Sequence, residues 1–165
     1  MFNELSKKEE DHHLCRLVSG YSWVWQSDPK KKNPTPDAID IEIEGLQFQW
    51  NQTDKDWINN PKDINNPLQE IGCIHTVQGY DLNYAGIIFG KEISYDKELN
   101  KIIINENNYY DSAGRQGIKD PEELANFIKN IYETIMLRGI KGTYIYACDE
   151  NLREYFKKHI AEYIK

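Results

Sequence analysis

Two short stretches hold residues whose type and spacing could do chemistry. One is Arg138-Gly139, an arginine set between an amphipathic run and a β-rich run; the other is His75-Thr76-Val77-Gln78-Gly79-Tyr80-Asp81, a polar turn between two apolar runs. Arginine carries a planar, permanently charged fork that matches the oxygens of a phosphoryl group in transfer, where negative charge spreads. The plainer assignment for Arg138 is a cation at a helix C-terminus, which the helix dipole favours by about 0.3–1 kcal/mol. In the turn, Gln78 offers a donor and an acceptor, Asp81 an anion, and Gly79 a backbone with no Cβ to hinder close approach. A satisfied core histidine competes as the role of His75, and a simple turn residue as that of Gln78. His75 and Asp81 do not make a metal site: there is no HExxH-like spacing and no second histidine cluster to complete one.

A phosphate-holding loop is missing from the sequence. No GxxxxGK(S/T) occurs; in the nearest stretch, Gly86-Ile-Ile-Phe-Gly90-Lys91-Glu92, the glycines are one residue too close and Glu92 stands where a hydroxyl should hold magnesium. The chain alone is therefore not expected to bind a nucleotide tightly. Trp23, Trp25, Trp50 and Trp57 could stack unpaired bases, at about 1–3 kcal/mol per base, although aromatics in strands usually build core. Lys30, Lys31 and Lys32 could meet phosphates or form a solvated run, and Arg16 opens an aromatic strand pattern as a possible strand-edge arginine.

The elements that must position these residues can be read from periodicity. Residues 1–13 form a polar N-terminal arm, helical or frayed. Residues 16–25 read as a strand and 27–37, with three prolines and three lysines, as a loop. The alternation at 40–44 followed by 46–50 predicts a hairpin. Residues 51–69 are irregular, strands follow near 71–76 and 85–89, and a second hairpin turns near 97–100. Asp120-Pro121-Glu-Glu is a helix start, with a capping side chain and proline at the first position. Leu124, Phe127, Ile128, Ile131, Tyr132, Ile135 and Met136 then make a 3.6-residue stripe, and Gly139 is a natural stop. A strand over 143–148 and a helix from Asp149, with Leu152, Tyr155, Phe156, Ile160, Tyr163 and Ile164 on one face, complete the chain. Strand, helix, strand, helix predicts a mainly parallel sheet with helices packed on it. Sites in such sheets form beyond the carboxyl ends of strands, where the turn from His75 to Asp81 is expected to lie.

A chain of 165 residues is most economically one domain of 14–165 behind its arm. With 28% charged residues, 11 tyrosines and 4 tryptophans it has the composition of a folded globule. A net charge of -7 argues against a stand-alone, strongly basic nucleic-acid binder. Three cysteines without CxxC spacing predict neither a disulfide framework nor a zinc site. No apolar run approaches the ~18 residues of a membrane span, so a soluble, cytoplasmic protein with no membrane partner is expected.

The pieces Arg16-Leu-Val-Ser-Gly-Tyr-Ser-Trp23, Trp50-Asn51, Gly72-Cys-Ile-His75-Thr-Val-Gln78-Gly79, Asn83-Tyr-Ala-Gly-Ile-Ile-Phe-Gly90 and Ile131-Tyr-Glu-Thr-Ile-Met-Leu-Arg138-Gly139-Ile-Lys-Gly142 stand in an order that carries a resemblance. Across residues 14–157 the chain resembles the C-terminal part of the Schlafen group 3-like DNA/RNA helicase domain family, bacterial P-loop proteins related to superfamily 1 helicases. The resemblance implies a RecA-like second domain: a mainly parallel sheet flanked by helices, with inserted β-hairpins. It implies that ATP and Mg2+ bind only together with an N-terminal P-loop domain that this chain lacks, and that the other partner is DNA or RNA. By the same resemblance Arg138 is the catalytic arginine finger, and Gln78, Gly79, Asp81 and Arg16 meet the nucleotide. His75 and Thr76 couple it to the nucleic-acid backbone. Leu137 replaces the threonine usual before the finger, and Asp81 is one methylene shorter than the glutamate of related helicases. The alternative function is a noncatalytic nucleic-acid-binding or interaction module built on the aromatic strands.

Overall fold

The computed structural model describes residues 1–161 except 29, 34, 36 and 54. Tyr163 and Ile164, expected on the last helix, lie outside the described residues. Helix α1 (Phe2–His12) precedes strand β1 (Cys15–Ser19), the hairpin β2 (Ile41–Ile43) and β3 (Leu46–Trp50), and then β4 (Glu70–Gly72) and β5 (Leu82–Phe89). A second hairpin, β6 (Ile93–Asp96) and β7 (Lys101–Ile104), leads to helix α2 (Pro121–Met136), strand β8 (Gly139–Ala147) and helix α3 (Glu150–His159).

Six strands form one sheet in the order β2-β3-β4-β1-β5-β8, parallel at every contact except β2 with β3; β6 and β7 pair separately. This α/β arrangement, a mostly parallel sheet flanked by helices, is that of a RecA-like domain. The hairpin β2–β3 extends the sheet, because β3 pairs in parallel with β4. Its two-residue turn, Glu44-Gly45, has positive φ at both positions (51° and 78°), as a tight hairpin turn requires.

Each face of the sheet has its own core. Val18, Ala85, Ile87 and Phe89 face α2, whose Leu124, Ile128, Ile131, Tyr132 and Ile135 form the buried stripe, together with Leu152 of α3. Asp120 caps α2 as its sequence predicts, accepting a hydrogen bond from Glu122 N at 3.0 Å; Asp149 caps α3 through Leu152 N at 2.8 Å. Leu17, Ile71, Cys73 and Ile88 face the other way, against Ile41, Ile43, Phe48, Trp50 and Leu5 of α1. The first residues are thus a helix seated on the sheet: Leu5 alone is buried on α1, and one apolar anchor is too little for periodicity to reveal.

Four strands depart from their predicted bounds. β1 stops at Ser19 and Tyr21 to Trp25 lie outside the strands; Gly20 passes so close to Glu92 and Tyr132 that a Cβ there would collide with both. β4 stops at Gly72: the Thr76 hydroxyl accepts from Cys73 N and donates to Cys73 O, both at 2.9 Å, and closes a turn. β8 starts four residues early, at Gly139, because β5 itself extends back to Leu82 and pairs with it.

Candidate functional site

The Arg-Gly-Ile-Lys-Gly sequence after α2 has a local physical reason. A Cβ at Gly139 would collide with the Gly142 carbonyl, and one at Gly142 would press on the Tyr84 ring at 3.2 Å. The β5–β8 register shifts at the same place, between Leu82 and Tyr84. The chain turns at 137–138 and enters β8 directly, and the two glycines lie where the β5–β8 pairing shifts register. The Thr143 hydroxyl donates to Met136 O at 2.9 Å and ties the helix end down, while Leu82 N donates to Arg138 O at 2.8 Å. Arg138 is therefore held at the amino-terminal edge of β5 and β8.

Its side chain is half-buried and makes no hydrogen bond or ion pair among the described residues; Nε is buried without a partner. Leaving a buried donor unpaired costs about 1–3 kcal/mol. Beside it Leu137 is 83% exposed and Ile140 71% exposed. A helix-capping role explains neither the orphaned nitrogen nor the two bare aliphatic side chains.

The connection from β4 to β5 runs from one edge of the sheet to the other, which corrects the expectation that His75 to Asp81 all lie at a carboxyl end. Leu17 is level with Ile71 on one side and with Gly86 on the other, so the chain must return four residues, about 13 Å, to begin β5 at Leu82. His75 and Thr76 stay at the carboxyl edge. Val77 is buried, and Gln78, Gly79, Tyr80 and Asp81 turn into the amino end of β5, all exposed. Gly79 has φ 83° and no atom within 4 Å of where a Cβ would stand, so its glycine serves the backbone conformation and its outer face is open. The pairing of Leu82 with Gly139 puts Asp81 and Arg138 side by side.

Arg16 is placed differently. It is 3% exposed, and its Nη1 donates to Glu9 at 3.2 Å and to Cys15 O at 2.8 Å while Nη2 donates to Ile58 O. A guanidinium so occupied is not open to a ligand, although its Nε lacks a partner. His75 is exposed beside Tyr21, with ring centroids 6.2 Å apart, whereas the Thr76 hydroxyl is committed to the Cys73 backbone.

One polar group at the carboxyl edge was hidden in the sequence. Glu92, fully buried, accepts from the Tyr132 hydroxyl at 2.5 Å, and its own N donates to Ser22 Oγ at 3.1 Å. The Tyr132 oxygen also accepts from Gly90 N at 3.1 Å. Burial raises the Glu92 carboxyl above its usual range and drives the Tyr132 phenol well above its own. The signal was an acid three residues past the end of β5 and just before Ile93, which is hard to tell from a surface turn. Among the described residues no group of His, Cys, Asp and Glu could hold a metal ion, all three cysteines are free thiols, and no helix is long and apolar enough to cross a membrane.

The model of the Schlafen group 3, DNA/RNA helicase domain matches residues 1–149. It takes in α1 and ends where α3 begins. An uncharacterized protein of Saccharomyces cerevisiae is 29% identical over 161 residues, covering 93% of this chain; the chain spans about a third of that relative's length (34%). No solved structure matches. With an orphaned arginine and an open polar turn on one edge of a helix-flanked parallel sheet, and with this match over nearly its whole length, the chain belongs to the Schlafen group 3 DNA/RNA helicase domain family.

Proposed function

We propose that this helicase-like module is the arginine-bearing, C-terminal RecA-like half of an ATP-driven nucleic-acid motor, completing the ATP site of a P-loop domain that this chain does not contain. The observation that carries it is the Arg138 guanidinium: partnerless among the described residues, partly buried, and flanked by Leu137 and Ile140. A charge kept at a desolvation cost with no internal partner fits a ligand supplied from outside. ATP with Mg2+ supplies a phosphoryl group for transfer to water. Arg138 then places its fork against the charge that builds on the transferred oxygens, a role worth roughly 10³–10⁵ in rate. Gln78 and Asp81 border the same edge and orient the nucleotide, and the open face of Gly79 admits it. In this reading the metal is held by the P-loop side. Arg16 holds Glu9 and the Ile58 carbonyl and is a structural arginine in this scheme. His75 faces the nucleic acid.

The purified chain tests this directly. It should bind ATP no better than millimolar and show no turnover, while a parent protein joining it to a P-loop domain should hydrolyse ATP. Turnover by the isolated chain that is lost on removing a carboxylate and kept on removing Arg138 would contradict the motor-half assignment.

A further inference from the structure

The edge opposite Arg138 carries a different surface. β3, β4 and β1 are neighbours and parallel, so Asn51, the 73–76 turn and the segment Tyr21 to Trp25 leave the sheet together at its carboxyl end. Tyr21 meets Trp50 edge-on at 5.4 Å, and Trp23 tilts against Trp50 at 6.5 Å. Trp23 and Trp25 are half-buried, Val24 between them is 52% exposed, and His75 stands exposed on the far side of Tyr21.

This segment is held, not loose. Asp40, itself buried, accepts from Gln26 N at 2.7 Å, Ser27 N at 3.0 Å, Trp50 N at 3.1 Å and the Ser27 hydroxyl. Trp25 Nε1 donates to Ser27 Oγ at 3.1 Å. A buried carboxylate taking four donors ties residues 26–27, and through Ser27 the Trp25 indole, to the end of β3. Next to them Lys30, Lys31 and Lys32 are all exposed, the longest run of positive charge in a chain of net charge -7. Lys31 reaches the Trp25 carbonyl. The two acids of the loop are engaged: Asp28 accepts from Lys30 N at 2.9 Å, and Asp37 pairs with Lys62 at 3.4 Å.

We propose that this carboxyl edge binds single-stranded nucleic acid, with bases stacking on Trp23 and Trp25, phosphates meeting Lys30, Lys31 and Lys32, and His75 bordering the track. The assignment rests on the helicase-domain membership and gives that domain's nucleic acid a place. A partly buried indole packed against its neighbours can receive a base only on its outer face, and unpaired bases have faces to offer whereas a duplex hides them. The lysines supply the term that any backbone contact requires. Nucleotide and strand then lie at opposite ends of the same parallel strands, with α2 running between them.

The test uses the full 165-residue chain without nucleotide, titrated with 12-mers of thymidylate and uridylate while tryptophan fluorescence and anisotropy are followed. Binding should quench the tryptophans and weaken about twentyfold between 50 and 200 mM salt, as expected if three lysines each neutralise a phosphate. A strand of abasic sites should bind roughly fivefold or more weakly per stacked base lost. Lys30→Glu/Lys31→Glu/Lys32→Glu, confined to exposed positions, should lose at least tenfold in affinity with an unchanged circular dichroism spectrum. No binding at 50 mM salt, equal affinity for abasic and thymidylate strands, or an unaffected triple variant would each overturn the proposal. Tighter binding of a duplex than of either single strand would also overturn it. Because nucleotide is left out, these failures would leave the Arg138 edge untouched, and failure of the ATP assignment would leave the quench untouched.

Discussion

Arg16 and Arg138 stand near the same end of the sheet, and the chain treats them in opposite ways. Arg16 is sunk to 3% exposure and spends both terminal nitrogens on Glu9, Cys15 O and Ile58 O. Arg138 is left with no partner among the described residues, between two aliphatic side chains that face solvent. A guanidinium enclosed by its own chain serves the fold, because removing it would strand an acid and carbonyls in the interior. One that the chain leaves unsatisfied weakens the fold slightly, and its presence calls for another explanation. At the carboxyl edge Tyr132, Asp40 and Thr76 likewise have hydrogen-bond partners within the chain, whereas Glu92 is partnered at Oε1 by Tyr132 and has none at Oε2 among the described residues.

Substitutions can break this contrast. Arg16→Ala should have the largest effect on stability, about 2–3 kcal/mol by urea unfolding, because it parts a mostly buried ion pair and frees two carbonyls; the figure is kept below the usual range for a buried pair since Glu9 is 18% exposed. Tyr132→Phe should cost about 1–3 kcal/mol, since it leaves Glu92 and Gly90 N without their shared oxygen. A cost near zero for either would mean that the internal edge is not held as described.

Glu92→Gln sharpens the contrast through pH. The folded carboxyl is raised above 4.5, so between 4.5 and the raised value the native state holds a proton that the unfolded chain has released. Wild-type stability should therefore fall as pH rises through that window, by at most about 1.4 kcal/mol per unit for one proton. Glu92→Gln should remove that fall, so that the variant gains on the wild type as pH rises through that window. A wild-type stability that rises with pH through that window, with the variant following it in parallel, would show that burial does not raise the Glu92 carboxyl. Last, Arg138→Ala should cost the isolated chain no stability and should leave it as stable as the wild type or more so, since it removes the buried, unpaired Nε. A loss of 2 kcal/mol there would make Arg138 a structural arginine like Arg16.

Much of the fold was legible because its signals are local. Asp120-Pro121 and the stripe to Met136 give α2, Glu44-Gly45 gives the first hairpin turn, and the alternation around it gives β2 and β3. What was hidden depends on contacts distant in sequence. Arg16 reads as a strand-edge charge because its partners, Glu9 and the Ile58 carbonyl, lie seven residues before it and 42 after it. β4 looks longer than it is because apolar residues continue past Gly72, where the Thr76 side chain and backbone fold back on Cys73 and close a turn. That the turn from His75 to Asp81 is shared between two edges follows from the level at which β5 begins, which no window of the sequence contains. The Arg138–Gly139 pair could be recognised as chemically unusual, since glycine after an amphipathic stripe predicts a sharp exit. Its lack of a partner could be seen only in three dimensions.

The central claim is that Arg138 acts on a nucleotide held by another domain, and the most direct measurement is ATP turnover with nucleotide affinity in a parent protein carrying Arg138→Ala. Because the interaction is made mainly in the transition state, turnover should fall by roughly 10³-fold or more while nucleotide affinity changes little. Turnover within a few-fold of the unmodified protein, or a loss that is all in nucleotide affinity, would contradict it.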